Sequence, residues 1–177
     1  MTADLTLRRG VPGDEGAVLG LFDRAVEWLV SQGFTGQWGE QPWSGQPRRR
    51  ALAAEWCGGD GAWFAEADGT PVGFLGVGEA IDHVPPAEVP ELYVRALVTC
   101  REPAARGAGR VLLEHAVALA RQQGVEQVRV DCYAGNGGRL VAFYESCGFT
   151  RVGGFTVGET WAGALLTRPT AVRHWMR

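Results

Sequence analysis

Apolar residues recur along the chain with two different spacings, and the spacing changes at clusters of glycine and proline. In "LTLRRG", residues 5–10, apolar and polar positions alternate, which is typical of a half-buried strand. Between Pro12 and Gly33 apolar residues recur every three or four positions, which predicts an amphipathic helix. The segment Phe34–Arg50 has no clear period and predicts a loop, and "RRRALAAEWCGG" then predicts a short helix.

The second half of the chain alternates strands with helices. Two strands, Ala62–Ala67 and Val72–Gly78, flank the turn "DGTP" and predict a hairpin. A proline-rich connection leads to "ELYVRALVT", which predicts a strand over Glu91–Thr99. The remaining predicted elements are a helix over Arg110–Gln123, a strand at "EQVRVDCYA", a helix over Arg139–Cys147, and two strands at "FTRVGGFTV" and "GALLTRP".

The stretch "RGAGRVLLEHA", residues 106–116, places Gly107 and Gly109 where a strand leads into a helix. Glycine inside a helix is about 1 kcal/mol less favourable than alanine, so the pair indicates a packing turn, a cap or an anion site. A helix start offers N–H groups and the positive end of its dipole to a phosphate. The order strand, glycine turn, helix, strand is a βαβ unit, in which ligands bind at the carboxyl ends of strands. This order favours a phosphate or pyrophosphate at the two glycines.

Two familiar phosphate-binding motifs do not fit this turn. No Gly-Lys-Ser/Thr follows the glycines, which excludes a P-loop. "RGAGRV" lacks the third glycine of a dinucleotide-binding turn and comes late in the chain, after several strands, which disfavours a Rossmann site.

Two segments carry a resemblance to a known family. One is "RGAG" running into an apolar helix after the strand "LVT", and the other is "AFYESCGF", residues 142–149, which resembles an F-Y-x-x-x-G-F pattern. Together they make residues 92–152 similar to the core of the GNAT superfamily of acyl-CoA-dependent N-acetyltransferases. The resemblance implies an α/β fold with a mixed, mainly antiparallel twisted sheet, splayed central parallel strands and helices on both faces. It also implies one domain over residues 1–177, with an acyl-CoA-binding core at about 91–152.

The resemblance implies a site for acetyl-CoA as co-substrate. The pantetheine arm would run along the strand residues Leu97, Val98 and Thr99. The pyrophosphate would accept N–H bonds from Arg106, Gly107, Ala108, Gly109 and Arg110. Guanidinium groups of Arg101, Arg106 and Arg110 would add charge-assisted bonds. Ala104 departs from the family pattern, which usually has Gln or Arg there, and Asn136 takes the place of the family's asparagine contact in a slightly longer loop.

Acyl transfer to an amine requires a neutral amine, stabilisation of the oxyanion and protonation of the leaving thiolate. Tyr144 occupies the family's position for the tyrosine that serves as acid and contacts the co-substrate, and an ordinary phenol, with a pKa of about 10, is protonated at neutral pH. The alternative is that Tyr144 merely packs beside Phe143 and Phe149. A backbone N–H near Leu97 or Val98 would meet the oxyanion.

Glu91, which begins the strand and shares a face with Tyr93, is the candidate base. Glu88, Asp82 and His83 lie upstream in a loop and are alternatives, as is a chain of water molecules. Cys132 is interpreted as a core residue rather than a nucleophile, because no histidine lies near it in sequence.

Aromatic residues indicate the acceptor site. Trp28, Phe34 and Trp38 are the candidate substrate-binding residues, and Glu27 and Glu40 would attract a cationic amine. This composition favours a small primary amine over an extended basic protein tail. A protein or peptide N-acetyltransferase of the same fold, and a non-catalytic acyl-CoA-binding module, are the alternatives.

Composition narrows the partners and the compartment. Of the 177 residues 46% are apolar, enough for a core, and the net charge of -3 does not favour nucleic acid or an anionic membrane. Four dispersed cysteines without a C-x-x-C pair predict no metal site. No apolar run approaches the roughly 20 residues of a membrane span, and no apolar leader follows Met1, so we expect a cytoplasmic protein. A homodimer is a common arrangement in the resembled family.

Overall fold

A computed structural model describes residues 4–171. Within those residues the chain forms seven strands and four α-helices, and each predicted helix and strand is present. They are β1 Leu5–Arg9, α1 Glu15–Ser31, α2 Pro47–Gly58, β2 Ala62–Ala67, β3 Thr70–Gly78, β4 Glu91–Thr99, α3 Ala108–Gln123, β5 Gln127–Tyr133, α4 Arg139–Ser146, β6 Thr150–Val157 and β7 Trp161–Pro169. The helix α3 begins two residues earlier than predicted, so Gly109 lies in its first turn.

The strands form one mixed sheet in the order β1-β2-β3-β4-β5-β7-β6. The ladders of β1 with β2, β2 with β3, β5 with β7 and β6 with β7 are antiparallel. Strands β4 and β5 are parallel, and their register runs from Glu91 opposite Gln127 to Val94 opposite Val130. This pairing covers four positions of the nine-residue β4, as expected for central parallel strands that diverge.

The described residues fall into two compact units, and the first contains residues 4–77 and 96–113. Its core combines α1 and α2 with the hairpin β2–β3, where Phe64 and Phe74 are fully buried. Trp43, from the segment predicted as a loop, lies flat against Phe22 of α1 with ring centroids 3.8 Å apart. The aromatic side chains of that segment therefore extend the core of this unit.

The second unit contains residues 78–95 and 114–171. Alternation along β5 buries Val128 and Val130. A smaller apolar cluster joins Val84, Tyr93 and Leu165, with Ile81 and Phe155 packed against it. This cluster anchors the connection between β3 and β4, because two of its members belong to that connection.

We expect Gly61→Ala to destabilise the protein, because a Cβ at Gly61 would overlap the carbonyl oxygen of Val77. Overpacking of this kind typically lowers the free energy of unfolding by about 1–3 kcal/mol. Gly58→Ala is the matched control, since a Cβ at this exposed end of α2 has no atom within 4 Å and helices favour alanine. Urea-induced unfolding measures both, and equal stabilities would contradict the close approach.

Candidate active site

The glycine turn before α3 has the geometry of an anion cradle. Gly107 has φ +82°, a conformation that side chains rarely adopt, and a Cβ built there meets no atom within 4 Å. The Val111 N–H makes a helical bond to the Gly107 carbonyl at 3.0 Å. The N–H groups of Gly107, Ala108 and Gly109 therefore precede the helical ladder of α3. The space beside Gly107 is open, whereas Ala108 and Gly109 are buried, and the pyrophosphate contact stays a prediction from the sequence.

One of the predicted phosphate contacts is altered by the turn. The N–H of Arg106 donates to the carbonyl of Pro103 at 3.2 Å, so this group already has a protein acceptor. The side chains of Arg106 and Arg110 are exposed. Arg106 is therefore better placed to meet an anion through its guanidinium than through its backbone.

The predicted pantetheine strand borders a cavity in the first unit. Leu97 and Thr99 are half-buried on β4, while Val98 between them is buried. A cavity of about 250 Å³ is lined by Arg24, Ala25, Trp28, Thr99, Cys100, Arg101 and Glu102. The Arg101 guanidinium lies over the Trp28 ring, 3.6 Å from its centroid. Trp28 thus forms one wall of a recess that begins at the end of the predicted co-substrate strand.

The other two candidate acceptor residues serve the packing of the first unit as well. Trp38 is half-buried and makes edge contacts with Phe22 at 5.2 Å and with Trp43 at 5.8 Å. The N–H of Phe34 donates to the carbonyl of Leu29 at 2.8 Å. Their roles in substrate binding stay predictions from the sequence.

Tyr144, the predicted acid, lies in α4 of the second unit with 5% of its surface exposed. The rings of Phe143 and Phe149 make edge contacts with it at 5.4 and 5.8 Å. Burial raises the pKa of Tyr144 above its ordinary value, so the phenol keeps its proton at neutral pH. Packing and proton donation are compatible here, since a buried hydroxyl remains a donor.

Two further residues considered in the sequence analysis, Asn136 and Cys132, also lie in the second unit. Asn136 is half-buried, with φ +54°, in a short 3-10 turn directly before α4. Cys132 is buried, and this burial raises the pKa of its thiol to about 12. A thiol so rarely ionised is a poor nucleophile, which agrees with its interpretation as a core residue.

Glu91, the predicted base, is bound to an arginine that the sequence analysis did not single out. The guanidinium of Arg129 lies 2.7 Å from one carboxylate oxygen and donates to the other at 2.9 Å. The same guanidinium donates to the carbonyl of Pro85 at 2.7 Å. Arg129 is 4% exposed, so this is a buried ion pair that also holds the β3–β4 connection.

A second polar group lies beside this pair. The hydroxyl of Tyr93 donates to one oxygen of the Asp131 carboxylate at 2.5 Å, and Nε2 of His83 lies 3.8 Å from the other oxygen. Burial raises the pKa of Tyr93 above its ordinary value, so it remains a donor. The sequence analysis named His83 but missed Asp131. Alternation along β5 carries the missing signal, because Arg129 and Asp131 share one face of a central strand.

Within residues 4–171, His, Cys, Asp and Glu side chains form no group of three or more placed to hold a metal ion. None of the helices in the described part of the chain combines the length and apolar character that a membrane-spanning helix needs.

Several solved acetyltransferase structures are similar in fold to this chain. The ribosomal-protein-S18-alanine N-acetyltransferase of Escherichia coli is 17% identical with a TM-score of 0.65, and the match covers 97% of each chain. An N-acetyltransferase of Staphylococcus aureus Mu50 is 14% identical with a TM-score of 0.65, covering 96% of this chain and 100% of that one. The protein yncA of Salmonella typhimurium, solved with its cofactor acetyl-CoA, is 15% identical with a TM-score of 0.63, covering 99% of each chain. At these identities the likeness shows the fold, and it confirms the predicted fold class.

The sequence itself identifies the family. The model of the acetyltransferase (GNAT) family matches residues 21–149, and the chain belongs to this family. The match confirms the resemblance and the predicted class of enzyme. No curated protein sequence matches the chain in a sequence comparison.

We expect Glu91→Ala to destabilise the protein strongly. Removing one partner of a buried ion pair leaves the other charge uncompensated, which lowers the free energy of unfolding by about 3–5 kcal/mol. The matched control is Glu114→Ala, which removes the partner of Arg168 in a pair whose carboxylate side is 52% exposed. Exposed pairs contribute about 0–1 kcal/mol, so urea-induced unfolding separates the two variants. The double variant Glu91→Leu with Arg129→Met should recover most of the loss, and equal losses in the two single variants would contradict the buried pair.

Proposed function

We propose that the chain acts as one domain that transfers the acetyl group of acetyl-CoA to the primary amine of a small molecule. The observation that carries this proposal is the turn at Gly107, whose φ of +82° favours glycine and where a Cβ would meet no atom within 4 Å, directly before the first ladder bond of α3. The bound acetyl-CoA of yncA, which has the same fold, supports the choice of co-substrate. A cytoplasmic location and a homodimer remain predictions from the sequence.

Acetyl-CoA supplies the activated acetyl group as a thioester, and residues of the chain hold it. The N–H groups of Gly107, Ala108 and Gly109 bind the pyrophosphate, and the exposed guanidinium groups of Arg106 and Arg110 add charge. Leu97, Val98 and Thr99 bind the pantetheine arm along β4, and Asn136 contributes a further polar contact.

Tyr144 acts as the acid that protonates the leaving thiolate. Its burial keeps the phenol protonated, so the proton is present when the C–S bond breaks. A backbone N–H of β4 near Leu97 or Val98 stabilises the oxyanion, which is the role that backbone donors serve in acyl transfer generally. The sequence predicts Glu91 as the base, and its carboxylate is paired with Arg129.

The acceptor site is proposed at the recess beside Trp28. Its volume of about 250 Å³ lies just below the usual range of roughly 300–1,000 Å³ for ligand pockets, which suits a small amine. A cationic amine bound there competes with Arg24 for Glu102 and with Arg101 for the face of Trp28. The second candidate is the amino terminus of a protein, since the similar Escherichia coli enzyme is named for the alanine of ribosomal protein S18.

Acetyl-CoA binding tests the glycine turn directly. We expect Gly107→Ala to weaken binding by about tenfold or more, a change of roughly 1.4 kcal/mol, because a Cβ intrudes into the cradle. Gly124→Ala is the matched control, since Gly124 has φ +70° and open surroundings but follows the other end of α3. Both variants bear similar backbone strain. A difference in their affinities for acetyl-CoA, measured by calorimetric titration, therefore reports the added Cβ at the Gly107 turn. Equal affinities of the two variants would remove the pyrophosphate assignment.

Turnover tests the reaction and its acid. The wild type is screened with primary amines, amino sugars and a peptide that begins with alanine, with release of free thiol as the readout. We expect Tyr144→Phe to lower kcat by about 100-fold with little change in the KM for acetyl-CoA, because only the proton donor is lost. Tyr133→Phe is the control for removal of a hydroxyl elsewhere in the second unit. If the wild type binds acetyl-CoA but acetylates none of these amines, a non-catalytic acyl-CoA-binding module replaces the proposed function.

A further inference from the structure

The connection between β3 and β4 holds one histidine in a fixed place. Val84 is buried against Tyr93 and Leu165, and Ile81 packs on the same cluster. On the other side of this anchor, the carbonyl of Pro85 accepts a bond from buried Arg129 at 2.7 Å. His83 lies between these anchors in sequence, so its backbone is held although its side chain is 42% exposed.

The imidazole of His83 faces a carboxylate that is itself held in place. Asp131 is 13% exposed, and Nε2 of His83 lies 3.8 Å from its Oδ2. Its Oδ1 accepts the hydroxyl of Tyr93. The ring of Phe155 packs beside the imidazole, 5.3 Å between centroids. At 3.8 Å this is an electrostatic contact and not a hydrogen bond, so the carboxylate attracts the imidazole to this place without selecting which ring nitrogen is protonated.

The buried titratable groups beside His83 are engaged in other contacts. Glu91 and Arg129 neutralise one another, and Tyr93 donates to Asp131. Asp82 precedes His83 in the same exposed connection. Among these groups, His83 combines a side chain that is 42% exposed with a ring that can accept a proton.

We propose that His83 is the base of the reaction, with Asp131 and Tyr93 as residues that position it. The inference rests on the proposed function. Glu91 then acts through Arg129 and the Pro85 carbonyl, which hold the connection that carries His83.

The proton balance closes with these residues. His83 takes one proton from the substrate ammonium, and the freed lone pair forms the N–C bond to the acetyl group. The C–S bond breaks, the sulfur leaves with its electron pair, and Tyr144 gives it a proton. The amide nitrogen loses its second proton to solvent, and Tyr144 takes one back from solvent. His83 releases its own proton, so one proton is produced for each acetyl group transferred.

The test compares His83→Ala with the wild type, using acetyl-CoA and the amine of the panel that the wild type acetylates fastest. We expect kcat/KM to fall by about 100-fold or more, and the acidic limb of its pH profile to disappear. Free imidazole in the buffer should restore part of the activity of His83→Ala but none of that of Tyr144→Phe. His115→Gln, which removes a histidine from α3, should keep the wild-type rate, and added imidazole should not change that rate.

Further variants separate catalysis from positioning. Asp131→Asn keeps an acceptor for the Tyr93 hydroxyl but loses the charge, so we expect a lower kcat with an unchanged KM for acetyl-CoA. Glu91→Gln also leaves Arg129 without its counter-charge, so its folding is checked by binding of acetyl-CoA. The folded variant should retain the acidic limb, since in this proposal the Glu91 carboxylate moves no substrate proton. His83→Gln, with binding of acetyl-CoA as a check on folding, replaces the alanine variant if that one fails to fold.

Two outcomes overturn the inference in distinguishable ways. If the wild type is active and His83→Ala keeps its rate and its acidic limb, His83 is not the base while the proposed function stands. If the wild type binds acetyl-CoA and acetylates no amine, the proposed function fails and the role of His83 fails with it.

Discussion

The polar cluster of Glu91, Arg129, Tyr93, Asp131 and His83 depends on the guanidinium of Arg129, which is buried away from water. Arg129 is almost fully buried, and a charge in such surroundings is tolerated only when it is paired and hydrogen-bonded. Glu91 on the adjacent parallel strand supplies the opposite charge, and the carbonyl of Pro85 takes a further N–H. One side chain thereby joins β5, β4 and the connection before β4. These bonds hold the connection in place, and the position of His83 beside Asp131 follows from them.

The elements and the glycine turn were predictable from the sequence because their causes are local. Alternation in "ELYVRALVT" and helical spacing after "RGAG" depend on a few neighbouring residues. The need for glycine at position 107 is equally local, since its backbone has a positive φ. The order of these elements also predicts a ligand site at the start of α3, which stays a prediction, and the segment "AFYESCGF" points to the family.

The polar contacts were not predictable in the same way, because they join residues about 38 positions apart. Alternation shows that Glu91 and Tyr93 share a face, and so do Arg129 and Asp131, but it does not set the register of two parallel strands. That register decides that Glu91 meets Arg129 and that Tyr93 meets Asp131. Packing also determines where the tryptophans lie, since Trp43 after α1 lies against Phe22 in the core, while Trp28 within α1 borders a recess.

The burial of the cysteines has a practical consequence for work with this protein. All four thiols are free and buried, and burial raises the pKa of Cys57 to about 11 and that of Cys132 to about 12. Oxidants and thiol dyes react with the thiolate form, which is scarce at Cys57 and Cys132, and the other two thiols are withdrawn from solvent by their burial. The folded protein should therefore tolerate storage without reductant and add little background colour when coenzyme A is the thiol being counted.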